Sequence, residues 1–314
     1  MKLSHLKIGL LLSFLLVTAS GCGYINSIRA KSQLNEAVSA YKDKKYDEAE
    51  KYARKAIYLD PANENAPMIL AIILQTEYRR GDVSDLNVGR AEEAINLYKQ
   101  MYEKDPNNDD LFTAVTGLYG YLIQAAGQHV EQLNDQISKA GDNQDQQGKL
   151  TAEKSDWENK QTKWTEDQTN WVVQRSKSEN VAKSKRSDAY AFLANKKWDC
   201  SLAITTKHQQ SVAQPDGSTV IKYKKAEDPA EYQKAVQCMT EGLDLAKTAI
   251  DLDPESETAW AQRYNLLLEA GKLAKMEGNE SKATDLEKQA TEAANKVKEL
   301  HAKSKPAPSP QPAS

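Results

Sequence analysis

Apolar positions along this chain fall mostly into the three-and-four spacing of amphipathic helices. Leu111, Val115, Leu118, Leu122, Ala126, Val130, Leu133 and Ile137 trace one narrow stripe down a long helix. Turn formers come next, from Ala140-Gly141-Asp142-Asn143 to Gly148. A polar helix succeeds them, with Leu150, Trp157, Trp164 and Trp171 at seven-residue steps. Folding the two helices back around a tip near residue 144 pairs Leu150 with Ile137, Trp157 with Val130 and Trp164 with Ile123. It also brings Trp171 beside Leu118 or Tyr119. The pattern predicts an antiparallel helical hairpin over 109–198, with arms of roughly 50–60 Å at about 1.5 Å per residue. The three Trp read either as the seam of that hairpin or as an exposed stripe for a partner.

A different periodicity occurs at one place. Ser201 to Thr206 and Ser218 to Tyr223 are β-branched or alternating, and Pro215-Asp216-Gly217 lies between them. They predict a small β-hairpin within 199–228. From Lys303 onward Pro306, Pro308, Pro310 and Pro312 predict a disordered, partly extended tail over 303–314.

The helical segments also repeat. Ala56-Ile57-Tyr58-Leu59-Asp60-Pro61, Met101-Tyr102-Glu103-Lys104-Asp105-Pro106 and Ala249-Ile250-Asp251-Leu252-Asp253-Pro254 end alike. Seven positions before Ala56, Met101 and Ala249 stand the small residues Ala49, Ala94 and Gly242. That step keeps two side chains on one helix face and lets a neighbouring helix approach closely. Asp-Pro then ends the helix. With Ala37, Tyr41, Tyr46, Tyr52 and the Ala91-Glu92-Glu93-Ala94 turn, the pattern resembles the tetratricopeptide repeat (TPR), a pair of antiparallel helices of about 34 residues. The resemblance places TPR units at 30–63 and 64–108 and TPR-like helices at 229–302, and it covers about half of the chain. It implies an all-α, irregular TPR-like solenoid, interrupted by the projecting helical hairpin and the β-hairpin insertion. Stacked repeats of this kind present a concave face that holds extended peptides or helices. On that face the resemblance places Asn35, Tyr41, Tyr78 and Arg79, with Arg263 from the last unit.

Before the first repeat lies a different signal. Lys2 and Lys7 precede the apolar run Ile8 to Val17, and small residues lead into Cys22. This is the layout of a secretory signal peptide over 1–21, and the run is far short of the roughly 20 residues that span a bilayer. Ala19-Ser20-Gly21-Cys22 resembles the bacterial lipobox. That resemblance implies diacylglyceryl transfer to the Cys22 sulfur, cleavage before it and acylation of the new amine, with 22–29 as a linker. Gly23, where Asp would retain the protein at the inner membrane, implies the inner leaflet of the outer membrane, facing the periplasm. Ordinary secretion with a chance cysteine is the alternative. In an oxidising envelope Cys200 and Cys238, the two remaining thiols, most simply form a disulfide.

Composition narrows the chemistry further. Loss of Lys2 and Lys7 takes the formal charge from −3 to −5, an unsuitable balance for nucleic acid. Apart from His5 in the signal segment, His129, His208 and His301 stand alone, and no HExxH, Walker-type loop or GxGxxG is present. No catalytic residues, metal, cofactor or small-molecule substrate are therefore expected, and the chain is not expected to be an enzyme. The resemblance implies a lipid-anchored periplasmic scaffold or adaptor for envelope proteins. The alternative is a spacer between membrane and peptidoglycan that lacks a peptide groove.

Overall fold

A computed structural model of the protein describes residues 24–304. The segment 1–21 expected as a signal peptide, Cys22 and the Pro-rich tail beyond Ser304 lie outside the described residues. The chain divides into two compact units, at Gln168 and Thr169.

The first unit is a run of helices. These are α1 (24–42), α2 (Tyr46–Leu59), α3 (Asn65–Glu77), α4 (Asp85–Lys104), α5 (Asp109–Lys139) and most of α6 (Gln144–Lys177). The segment 22–29, expected as a linker, is helical from residue 24 onward, so α1 begins before the repeat boundary read from the sequence. The second unit holds α7 (Lys183–Thr205), β1 (Gln209–Ala213), β2 (Thr219–Tyr223), α8 (Pro229–Leu252), α9 (Glu257–Met276) and α10 (Glu280–Ser304). Within each unit consecutive helices pack against one another as pairs.

Three connectors show that the repeats are physical. Asp60, Asp105 and Asp253 close α2, α4 and α8 with φ between −142° and −135° and ψ between 81° and 92°. Their carboxylates accept from Ala62 N, Asn107 N and Glu255 N at 3.1–3.3 Å. Their carbonyls accept from Asn63 N, Asn108 N and Ser256 N. Those three residues then cap the next helix: Asn63 Oδ1 accepts from Ala66 N, Asn108 Oδ1 from Leu111 N and Ser256 Oγ from Ala259 N. One four-residue turn thus ends one helix and starts the next, satisfying backbone groups that each helix leaves open. The small residues before it are buried contacts: Ala49, Ala56, Ala94 and Ala249 have no exposed surface. The fold is all-α and TPR-like, with one helical hairpin and one β-hairpin inserted.

Between α3 and α4 the second repeat carries extra residues. Asn87, almost fully buried, clasps the loop they form. Its amide donates to Arg79 O and Asp82 O at 2.9 and 2.6 Å, and its Oδ1 accepts from Arg79 N at 2.8 Å. Residues 85–90 extend α4 at its start.

The hairpin of α5 and α6 forms close to the expected register, with Trp157 beside His129, one residue from the expected Val130. Asn143 ends the turn, its Oδ1 accepting from Gln146 N, so α6 starts at Gln144 and takes Gly148 into the helix. Gln161 spans one turn of α5, from Gly127 to Ile123, its Nε2 donating to Ile123 O at 3.3 Å. One heptad on, Gln168 Nε2 donates to Thr116 O at 2.8 Å. Trp157 stands edge-on to His129, ring centroids 5.1 Å apart, and 6.3 Å from Trp164. Trp157 and Trp164 are buried, at 7% and 3% exposure, which decides for the seam over the exposed stripe at those two positions; Trp171, in the second unit, is buried as well.

The first strand of the β-hairpin lies later than expected, while the second falls in place. Residues 201–205 are the end of α7, and the strands pair from Gln209↔Tyr223 to Ala213↔Thr219. Ser201 and Thr205, one helical turn apart, donate from their hydroxyls to Glu269 Oε1 of α9 at 3.1 and 2.6 Å. Glu269 is fully buried, and Lys272 Nζ lies 2.9 Å from its other oxygen. Satisfying a buried carboxylate outweighs the β preference of a Thr-rich segment. Beside this cluster, Cys200 of α7 and Cys238 of α8 form a disulfide that closes a span of 38 residues around the β-hairpin.

Two substitutions test this packing. A Cβ on Gly242 would stand 2.5 Å from Leu266 Cδ2 and 3.1 Å from Lys197 Cβ. Gly242→Val is expected to cost about 1–3 kcal/mol by overpacking, read as a lower urea midpoint. Replacing Cys200 and Cys238 together by Ser is expected to remove up to about 4 kcal/mol by the chain-entropy account, with the same loss in the wild type after reduction.

Candidate binding groove

The helix pairs of the first unit leave a groove of about 540 Å³ between α3, α4 and α5. Met68, Ile72 and Gln75 recur at steps of four and three, so α3 presents them on one face. Ala114, Gly117 and Tyr121 do the same from α5, and Tyr98 of α4 closes the floor. The two small residues keep the α5 wall low. Ile72 stays 39% exposed, a large apolar side chain with no covering layer. Tyr98 is fixed by donating its hydroxyl to Gln75 Oε1 at 2.6 Å, and burial pushes the phenol up to about 12.

An aromatic and a cation border the groove together. The Arg80 guanidinium lies 3.8 Å above the Tyr121 ring centre and hydrogen-bonds the Tyr121 hydroxyl. Tyr78 stacks on the same ring at 6.4 Å. A rigid aromatic carrying an Arg is well suited to a partner segment with apolar side chains and a carboxylate or backbone carbonyl.

The residues anticipated from the sequence separate in space. Tyr78 is buried and reaches the groove through its stack on Tyr121. Tyr41 is half-buried and links α1 to α3, its hydroxyl 3.1 Å from Thr76 Oγ1 and its ring 5.6 Å from that of Tyr46. Arg79 is exposed on a second hollow of about 460 Å³, together with Lys44, Lys45 and Glu77. Asn35 is exposed on α1 and lines neither hollow. In the second unit Arg263 lines a hollow of about 630 Å³ with Ile250, Trp260 and Lys296, between α8, α9 and α10. Sequence reading missed Ile72, Arg80 and Tyr121. The available signal was Ala114, Gly117 and Tyr121 at helical spacing, masked by the stronger apolar stripe with which α5 packs against α6.

The second hollow is built on a charge cluster. Arg90 of α4 lies 2.9 Å from Glu77, 3.5 Å from Asp47 and 3.8 Å from Glu50. Arg54 of α2 forms a two-pronged bond with Glu93 at 2.6 and 2.7 Å and also donates to Glu50 at 2.7 Å. One guanidinium therefore faces three carboxylates. Burial pushes the Glu77 carboxyl up to about 7, against the pull of Arg90, with Glu50 and Asp47 adding to the rise. Among the described residues, no group of three or more His, Cys, Asp or Glu is arranged to hold a metal ion.

No known family profile and no curated protein sequence matches the chain. Among solved structures, yeast Tom70 is 16% identical over 88% of this chain and 52% of that one, at a TM-score of 0.24. This chain thus spans about half the length of the Tom70 chain. The TPR2AB domain of yeast Sti1, solved as a complex with pHSP90, is 14% identical over 87% of this chain and 97% of that one, at a TM-score of 0.23. Superpositions this loose carry no weight for the function of this chain, and its TPR-like character rests on its own connectors and helix pairs.

The cluster predicts a pH dependence of known sign. A carboxyl near 7 in the folded state and near 4.5 in its reference state binds more protons folded than unfolded between those values. Its contribution to stability is complete below about 4.5 and is lost as pH rises through about 7. Glu77→Gln is expected to flatten that fall, seen as a wild-type minus variant difference in urea midpoints between pH 4.5 and 7.

Proposed function

We propose that this protein is a lipid-anchored scaffold of the bacterial envelope. In this reading Cys22 holds it to the inner leaflet of the outer membrane, and the α3/α4/α5 groove binds segments of partner proteins during envelope assembly. The groove carries the proposal. It combines an uncovered Ile72, a fixed Tyr98 floor and a Tyr121 rim bearing Arg80. A spacer has no use for such a surface, and a face of solvated Lys and Glu would serve it equally well. The disulfide between Cys200 and Cys238 supports an exported location, because such bonds persist in oxidising compartments.

A photo-crosslinking residue placed at Ile72 in intact cells tests the groove, with the same residue at Tyr58 as the control. Tyr58 is 83% exposed on α2 and lines neither hollow of the first unit. The expected outcome is a discrete envelope protein captured from position 72, not from position 58, and lost with Tyr121→Asp. Capture of peptidoglycan alone, or identical products from both positions, would sink the groove reading. Cys22→Ala tests the anchor separately and is expected to move the chain out of the membrane fraction.

A further inference from the structure

The start of α1 carries a surface that the repeat packing does not use. Of the large apolar side chains exposed among the described residues, three fall within five positions: Tyr24 at 72%, Ile25 at 50% and Ile28 at 52% exposure. On a helix these lie side by side, one turn deep. Ala30 and Ala37, both without exposed surface, mark the opposite face, which packs into the unit. The apolar stripe stops abruptly. Seven residues after Tyr24, Ile25 and Ile28 stand Lys31, Ser32 and Asn35, all exposed.

We infer that this first turn and a half of α1 is a membrane-interface foot, seated in the headgroup region of the bilayer to which Cys22 is attached. A groove for a partner helix would need the stripe to continue for several turns, whereas a foot needs only the end nearest the lipid. Tyr24 stands two residues after Cys22, so an acyl chain on that sulfur keeps this end at the bilayer surface. Exposed Arg29 and Lys31 flank the patch, suited to lipid phosphates while their stems lie along the acyl boundary. A Tyr with an apolar body and a polar tip fits the same depth. The foot converts a flexible acyl tether into a fixed attachment of the helix. This inference rests on the anchor reading, and its test keeps the two apart.

The mature chain from Cys22 has one thiol outside the disulfide. That thiol can be coupled to a maleimide lipid in phosphatidylethanolamine/phosphatidylglycerol vesicles, so the outcome does not depend on whether cells lipidate it. Hydrogen exchange over 24–31 is then compared with the same chain capped by N-ethylmaleimide in solution. The foot predicts roughly tenfold slower exchange on the vesicle, as burial of two Ile side chains would give, and loss of the slowing when Tyr24, Ile25 and Ile28 are all replaced by Ser. These side chains lie outside the core, so the variant is expected to keep the wild-type helical signal in circular dichroism. Equal exchange in tethered and capped chains overturns the foot, as does slowing that survives the triple substitution. Protection of the capped chain that grows with its own concentration assigns the patch to self-association instead. Mass spectrometry of the native Cys22 thioether reports on the anchor alone.

Discussion

Everything in this fold depends on how the helix ends are satisfied. A helix leaves its last carbonyls and first amides without partners, and a chain made of successive packed helices has many such ends. The Asp-Pro-x-Asn/Ser connector answers both needs in four residues. Pro forces the stop, the Asp carboxylate turns the chain, and the Asn or Ser caps the next helix. Each cap is worth about 1 kcal/mol, less than the burial of a single large side chain. Its larger effect is geometric, because the three connectors share the dihedrals of their Asp and the same capping bonds, so each chain reversal is built alike. Beside those reversals the small residues Ala49, Ala56, Ala94, Gly242 and Ala249 let neighbouring helices meet closely.

Legibility in the sequence depends on which interactions are local. The connectors, the repeat period and the helical hairpin come from residues within a few positions of one another, and they could be read from the sequence. The disulfide was legible by counting cysteines. The position of the first strand was not. Ser201 and Thr205 look like strand residues until Glu269, more than sixty positions away, claims their hydroxyls. The clasp of Asn87 on the 79–82 loop is equally hidden, and it explains how the second repeat absorbs its extra residues without losing its pairing. The groove was the least legible part. Its members come from three helices, and their individual spacings look like ordinary packing.

The α5/α6 hairpin shows how a polar sequence can still make a seam. Its facing positions include Gln161 and Gln168, poor core residues that reach across to backbone carbonyls of α5. Glutamine side chains long enough to find a partner cost little when buried, provided the partner is there. Trp157 and Trp164 then supply the apolar contact that the thin stripe of α5 lacks, and Trp164 also donates its indole N–H to Glu92 at 2.9 Å. A seam built this way specifies register more tightly than one of uniform Leu. A slip by one residue would leave amides without acceptors as well as misplace the rings.

The chemistry of the first unit divides its surface by purpose. Charge around Arg90 and Arg54 lies where α2, α3 and α4 converge, and those groups answer one another. The cluster's atoms without a hydrogen-bond partner, Glu77 Oε2 and Arg90 Nε, are buried, so little of it is offered to a partner, and Arg79, although exposed beside it, is a weaker candidate than its neighbour Arg80. The opposite case holds in the groove. Tyr98 and Gln75 satisfy each other, Arg80 bonds Tyr121, and the uncovered floor at Met68 and Ile72 is apolar, with Asp110 and Thr113 at the groove's edge. A surface whose polar groups are already paired, and whose apolar floor is open, gains on binding without first breaking internal bonds. That asymmetry, more than the depth of either hollow, is the physical ground for placing the partner between α3 and α5.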